Sequence, residues 1–137
     1  MLNKVNLQKL KIIKVLGGDV LHALKKSDLS FDNFGEAYFS VVNPGVVKGW
    51  KLHKKMTCNL IVPIGTIKFV ITKNLIDFDT FELGENNYFR ITIPPNFWFA
   101  FKCISKSKSI ILNISNIEHD PNEYEKKLIN EIDYDWC

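Results

Sequence analysis

Between Glu36 and Ser115 the chain alternates short apolar runs with clusters of Gly, Pro, Asn and Lys, and the apolar positions there never fall at helical spacing. Segments 36–42, 46–53, 59–64, 67–72, 78–83, 88–93, 98–103 and 109–115 are each rich in aromatic and β-branched residues, which predicts a strand for each. Pro94-Pro95 marks a turn between two of them, and 27–34 reads as a loop. Within 5–24 the apolar residues lack a clean period. Leu10 and Ile12, then Val20, His22 and Leu24, suggest two short strands broken at Gly17-Gly18, with a helix over 7–16 as the rival reading. Only 121–132, where Glu and Lys recur three to four residues apart, predicts a helix. Short strands at this spacing predict an all-β sandwich or barrel with a short C-terminal helix.

Composition agrees with a packed interior: 46% of the residues are hydrophobic and 12% aromatic. A length of 137 residues suits one core, so the expectation is a single domain over 1–137. The formal charge is +3, and the lysines are scattered from Lys4 to Lys127, so no nucleic-acid partner is expected. Lys48, Lys51, Lys54 and Lys55 do cluster in an otherwise apolar stretch, as a small anion such as a diphosphate would require; solvated lysines on a strand edge are the alternative. No apolar run is long enough to cross a membrane, no leader is evident, and Cys58, Cys103 and Cys137 are an odd number without disulfide spacing. A cytoplasmic protein without a membrane partner is expected.

One spacing is specific. Gly45, five residues, Lys51-Leu52-His53, four residues, Cys58, six residues and Gly65 follow the frame of the first cupin motif. Tyr88, five residues, Pro94-Pro95-Asn96, two residues, Phe99, three residues and Cys103 follow the second. Side chains two apart on a strand share a face, so Lys51 and His53 are expected to look into the barrel together. A cupin metal site uses histidines and a glutamate where this chain has Lys51, Cys58 and Phe99; Lys is cationic and Phe has no donor atom, so that site cannot form. A residual site from His53, Cys58 and Cys103 is less favoured than separate packing roles, and no metal or other cofactor is expected.

The segment from Phe34 to Gly65, the stretch NNYFRITIPPNFWFAF and the ending NISNIEHDPNEYE resemble the dTDP-4-dehydrorhamnose 3,5-epimerase-related branch of the cupins over nearly the whole chain. The likeness extends to sugar 3,4-ketoisomerases, whose RG-x-H-x-H-K hallmark aligns with 48–54. It implies a cupin jelly roll and a metal-free homodimer. The implied activity is epimerisation or isomerisation of a nucleotide-linked, dTDP-type 4-keto-6-deoxy sugar in surface-polysaccharide biosynthesis. A non-catalytic cupin that binds a nucleotide sugar is the alternative.

By the same resemblance the epimerase's basic His falls on Lys51, the ketoisomerase's second His on His53, and the phosphate-contacting Arg on Lys48. Glu36 matches an acidic position that contacts the base. The acid Tyr falls near Asn113, which is assigned with Asn59 to substrate binding, and Trp50 is a candidate to stack on a base or be core. The enolate-stabilising Lys falls near Cys58, so the familiar double-epimerase machinery is incomplete. His53, with an ordinary pKa of about 6.5, suits a general base, while a cationic Lys51 would polarise the C4 oxygen or a phosphate. His22 and His119 are read as structural and as turn chemistry respectively.

Overall fold

The computed structural model describes residues 3–137. Its strands are β1 (Asn6–Lys9), β2 (Ile12–Ile13), β3 (Val20–Leu21), β4 (Glu36–Val42), β5 (Val47–His53), β6 (Cys58–Ile64), β7 (Thr66–Thr72), β8 (Phe78–Gly84), β9 (Phe89–Ile93), β10 (Trp98–Cys103), β11 (Ser109–Ser115) and β12 (Tyr124–Lys126). They form two five-stranded antiparallel sheets, ordered β1-β9-β6-β11-β4 and β12-β5-β10-β7-β8, plus the ribbon β2-β3. The chain changes sheets at most connections, as a jelly-roll sandwich requires.

The eight strands expected between 36 and 115 are all present as β4 to β11. Near the N-terminus the helix over 7–16 does not form. β1 instead pairs with β9, from Asn6 opposite Thr92 to Lys9 opposite Phe89, and Gly17-Gly18 lies in the turn of the β2-β3 ribbon. The expected C-terminal helix over 121–132 is also a correction: the segment holds β12 and a single 3-10 turn, Ile129–Glu131. β5 would otherwise be a sheet edge with unpaired N–H and C=O groups, and the tail satisfies them. Lys54 N–H donates to the Glu123 carbonyl, and Trp50 and Lys127 exchange backbone bonds of 3.0 Å each.

Apolar side chains fill both faces of each sheet. Ile67, Phe69, Ile71, Ile91, Ile93 and Ile111 meet between the sheets. On one outer face Trp50, Trp98 and Ile132 pack with Tyr134 and Trp136 of the tail, and on the other Leu10, Ile61 and Tyr88 pack with Ile12 and Ala23. Covering on both sides explains why β6 and β7 read as continuous apolar runs instead of alternating ones. Buried Arg90 clasps the loop after β3 to the sheet: its guanidinium donates to the Ala23 carbonyl at 2.6 Å, Asp28 at 3.2 Å and Ser30 at 2.9 Å.

β5 is bulged against β10. Phe99 pairs with Lys51 and Ala100 with Gly49, leaving Trp50 as the extra residue. Gly49 has φ +136°, and a Cβ there would lie 2.5 Å from the Ala100 Cβ. Gly49→Ala should therefore destabilise the fold by about 2–4 kcal/mol, from backbone strain and overpacking together, read as a lowered denaturant midpoint.

Candidate active site

Between the sheets, among β4, β5, β6, β10 and β11, the interior opens into a cavity of about 200 Å³. β5 supplies Lys48, Lys51 and His53, β10 Phe99 and Phe101, β11 Asn113, β4 Tyr38 and β6 Cys58. Lys51 and His53 share a face because they are two apart. The bulge at Trp50 shifts the phase, so Lys48 lines the same cavity although it lies three residues before Lys51.

His53 is buried, and its Nδ1 meets a carboxylate oxygen of Glu123, which is only 2% exposed. The other Glu123 oxygen accepts the backbone N–H groups of Lys55 at 3.1 Å and Met56 at 3.2 Å. Burial pushes the His53 pKa below its usual value and outweighs the upward pull of Glu123. For Glu123, burial works upward, but the bonds from His53 and the two N–H groups prevail and hold the pKa down. The pair is therefore a neutral imidazole donating Nδ1–H to an ionised carboxylate. That tautomer leaves Nε2 as a proton acceptor, and Nε2 has no partner among the described residues.

From the facing sheet, Tyr38 accepts a hydrogen bond of 3.0 Å from Asn113 Nδ2, which leaves its own proton free to be donated. Burial raises the Tyr38 pKa, so the phenol keeps that proton at neutral pH. Asn113 Oδ1 and Glu36 Oε1 are buried acceptors without partners among the described residues. An unpaired buried acceptor is costly, so these two call for donors on a ligand.

Lys51 is half-buried, with Nζ 4.5 Å from the centre of the Tyr124 ring. Burial, and then the charge of Lys126 across the β5–β12 pair, lower its pKa. Cys58 is fully buried and its thiol is pushed up to about 12, so it is a neutral packing group at pH 7.

The structure thus brings Lys48, Lys51, His53 and Asn113 together at one cavity. Glu36 lies two residues before Tyr38 on the same face of β4. Two expected site residues are corrected. Asn59 points to the opposite face of β6 from Cys58 and Leu60, where it donates to the Ser30 carbonyl and accepts from Thr92. Trp50 is only 1% exposed, is ringed by Phe78, Tyr134 and Trp136, and donates Nε1–H to the Ile129 carbonyl, so neither of its faces is free for a base. Cys103 turns toward Ser105 and Ser109, away from His53.

Sequence reasoning missed Tyr38 and Glu123. Tyr38 was legible as the residue two after Glu36 on a confidently patterned strand. Glu123 was hidden by the expected helix, which would have left it on a solvent face.

A family model described as WxcM-like, C-terminal (FdtA) matches residues 3–133. The chain is 32% identical over 106 residues to the probable low-salt glycan biosynthesis epimerase Agl13 of Haloferax volcanii, a match covering 72% of this chain and 66% of that protein. It superposes on the crystal structure of a dTDP sugar isomerase from Desulfovibrio desulfuricans G20 with TM-score 0.92 and 32% identity, covering 98% of this chain and 91% of the other. A histidine-to-asparagine mutant of the 3,4-ketoisomerase QdtA of Thermoanaerobacterium thermosaccharolyticum, solved with TDP-4-keto-6-deoxyglucose, shares the fold at TM-score 0.79 and 24% identity, with 96% of each chain covered. The match over residues 3–133 shows that this chain belongs to the FdtA family of WxcM-like C-terminal domains, on the cupin jelly roll that it shares with the superposed sugar isomerase.

Proposed function

We propose that this protein is a metal-independent isomerase of a nucleotide-linked 4-keto-6-deoxy sugar, acting in the synthesis of a surface polysaccharide. The observation that carries this reading is the neutral His53, held by Glu123, facing a protonated Tyr38 across the cavity. The named activities of Agl13 and of the Desulfovibrio and Thermoanaerobacterium enzymes support it.

A ketone at C4 acidifies the hydrogens on C3 and C5. His53 Nε2 takes one of them as general base, and Glu123 stabilises the imidazolium that results. Negative charge then gathers on the C4 oxygen, where cationic Lys51 lowers its energy in a semi-enclosed, partly apolar site. Tyr38 supplies a proton from the facing sheet. Carriers on two walls allow return of a proton to the other face or to another carbon, so substrate and product remain isomers. Lys48 and Glu36 at the rim are kept for the nucleotide portion, and Asn113 Oδ1 for a sugar hydroxyl. A homodimer is part of the proposal.

Two outcomes follow. In heavy water, TDP-4-keto-6-deoxyglucose should gain deuterium at C3 or C5 with the parent protein and none with His53→Ala; absence of exchange with the parent removes the isomerase reading for this substrate, and exchange that survives His53→Ala removes His53 as the base. Glu123→Gln should reduce turnover about a hundredfold with the fold retained, since a positioned base is worth roughly 10²–10⁴. Because Glu123 pulls the His53 pKa upward, its loss should also move the acid limb of the kcat/KM profile to lower pH. An unmoved limb in Glu123→Gln would show that the carboxylate does not govern His53.

A further inference from the structure

Among the side chains that line the inner cavity, Lys48, Lys51 and Cys58 carry an amine or a thiol, and their surroundings separate them. Cys58 is fully buried with its thiol pushed up to about 12, so it stays protonated. Lys48 is exposed, with Nζ 3.4 Å from the Val41 carbonyl. Lys51 is half-buried, stands directly opposite Lys126 across the β5–β12 pair, and has no carboxylate within ion-pair distance among the described residues. Burial and that neighbouring charge both lower its pKa, and these are the conditions that make a lysine amine a nucleophile toward a carbonyl.

Two residues along the same face of β5, His53 presents an Nε2 without a partner among the described residues, and Tyr38 on the facing sheet keeps its proton. An amine, a proton acceptor and a proton donor therefore share one semi-enclosed space, as formation of an imine requires.

From this juxtaposition we infer that Lys51 bonds covalently to the substrate, its Nζ forming an iminium at the C4 carbonyl of the sugar, and that the reaction carried through this intermediate is epimerisation. The inference rests on the proposed function and goes further than its electrostatic use of Lys51: the charge beside the C4 oxygen becomes one bonded at C4. The Lys51 ammonium gives a proton to His53 Nε2, and the freed lone pair adds to C4 to form a carbinolamine. The C4 oxygen takes one hydrogen from Nζ and one from the imidazolium and leaves as water. Ammonium and ketone thus give iminium and water, with the single positive charge conserved and His53 neutral again. His53 then takes the hydrogen on C3 or C5, and the C–H electron pair flows toward the iminium to give a neutral enamine. Tyr38 returns a proton to the same carbon from the other side, and the imidazolium reprotonates the phenolate through solvent. Water finally adds to C4 and restores ketone and ammonium. Moving the ketone to C3 by this route would leave Nζ on C4 as an amine, which water does not release, so the covalent route turns over only as epimerisation.

The test traps the intermediate. The full chain is incubated with TDP-4-keto-6-deoxyglucose and cyanoborohydride, which reduces an iminium in preference to a ketone, and its peptides are then mapped by mass spectrometry. One sugar nucleotide should be found on Lys51, with Lys48, Lys54 and Lys55 unmodified. Lys51→Arg keeps the positive charge and cannot form an imine, so it should lose both the adduct and the deuterium exchange while its circular dichroism stays that of the parent. Exchange by the parent with no adduct on Lys51 overturns the inference and leaves the isomerase reading in place, and exchange retained in Lys51→Arg does the same. Equal labelling of the exposed lysines, or a product with its ketone at C3, also overturns it. An adduct confined to Lys51 in a parent protein that exchanges nothing would uphold the covalent bond and retire the isomerase reading.

Discussion

The pairing of β12 with β5 is the constraint on which the site depends. Three residues of the tail, Tyr124 to Lys126, satisfy the free edge of β5. That register sets Tyr124 beside His53, Lys126 opposite Lys51, and Glu123 against the His53 ring. Without this edge pairing His53 would be an imidazole at a sheet margin with no carboxylate to choose its tautomer. The tail is itself held down by apolar contact: Ile132, Tyr134 and Trp136 cover Trp50 and Trp98 on the outer face. Packing on the outside of the sheet therefore determines proton chemistry on the inside.

Burial supplies the second half of that chemistry. Four titratable groups of the cavity are shifted first by desolvation, and the direction follows from which form is charged. His53 and Lys51 move down, while Tyr38 and Cys58 move up. The consequence is a neutral base on one sheet and a neutral acid on the other at the same pH. The barrel does this with apolar neighbours such as Phe99 and Phe101, which contribute no functional atom and lower the local dielectric. Phe99 stands where the resemblance places a histidine, so His53 is the one imidazole among the residues that line the cavity.

Charge along the rim is unevenly divided. The β5 side carries Lys48 and Lys51, whereas the β4–β11 side offers the unpaired acceptors of Glu36 and Asn113. Such an arrangement suits a ligand with hydrogen-bond donors at one part and an anion at another. The lysine cluster anticipated within 48–55 is divided by the structure: Lys48 and Lys51 reach the cavity, while Lys54 and Lys55 lie exposed beyond the end of β5.

The eight central strands, the barrel and the shared face of Lys51 and His53 were legible in the sequence because they depend on period-two patterning and on glycine and proline punctuation, which are local signals. The motif frame from Gly45 to Gly65 carried the family likeness for the same reason. Asn59 and Trp50 were misplaced because each alternates with a cavity residue, Asn59 with Cys58 and Trp50 with Lys51, and so faces away, whereas Lys48 reaches the cavity through a bulge that only the approach of Ala100 to Gly49 explains. The tail was misread as a helix because Glu and Lys spacing is equally compatible with a short edge strand. The free edge of β5, seventy residues away in sequence from Glu123, decided between the two. Composition and spacing thus determined which side chains were available, and tertiary contact alone decided which of them met, since the hydrogen bonds and desolvation that keep His53 neutral come from residues distant along the chain.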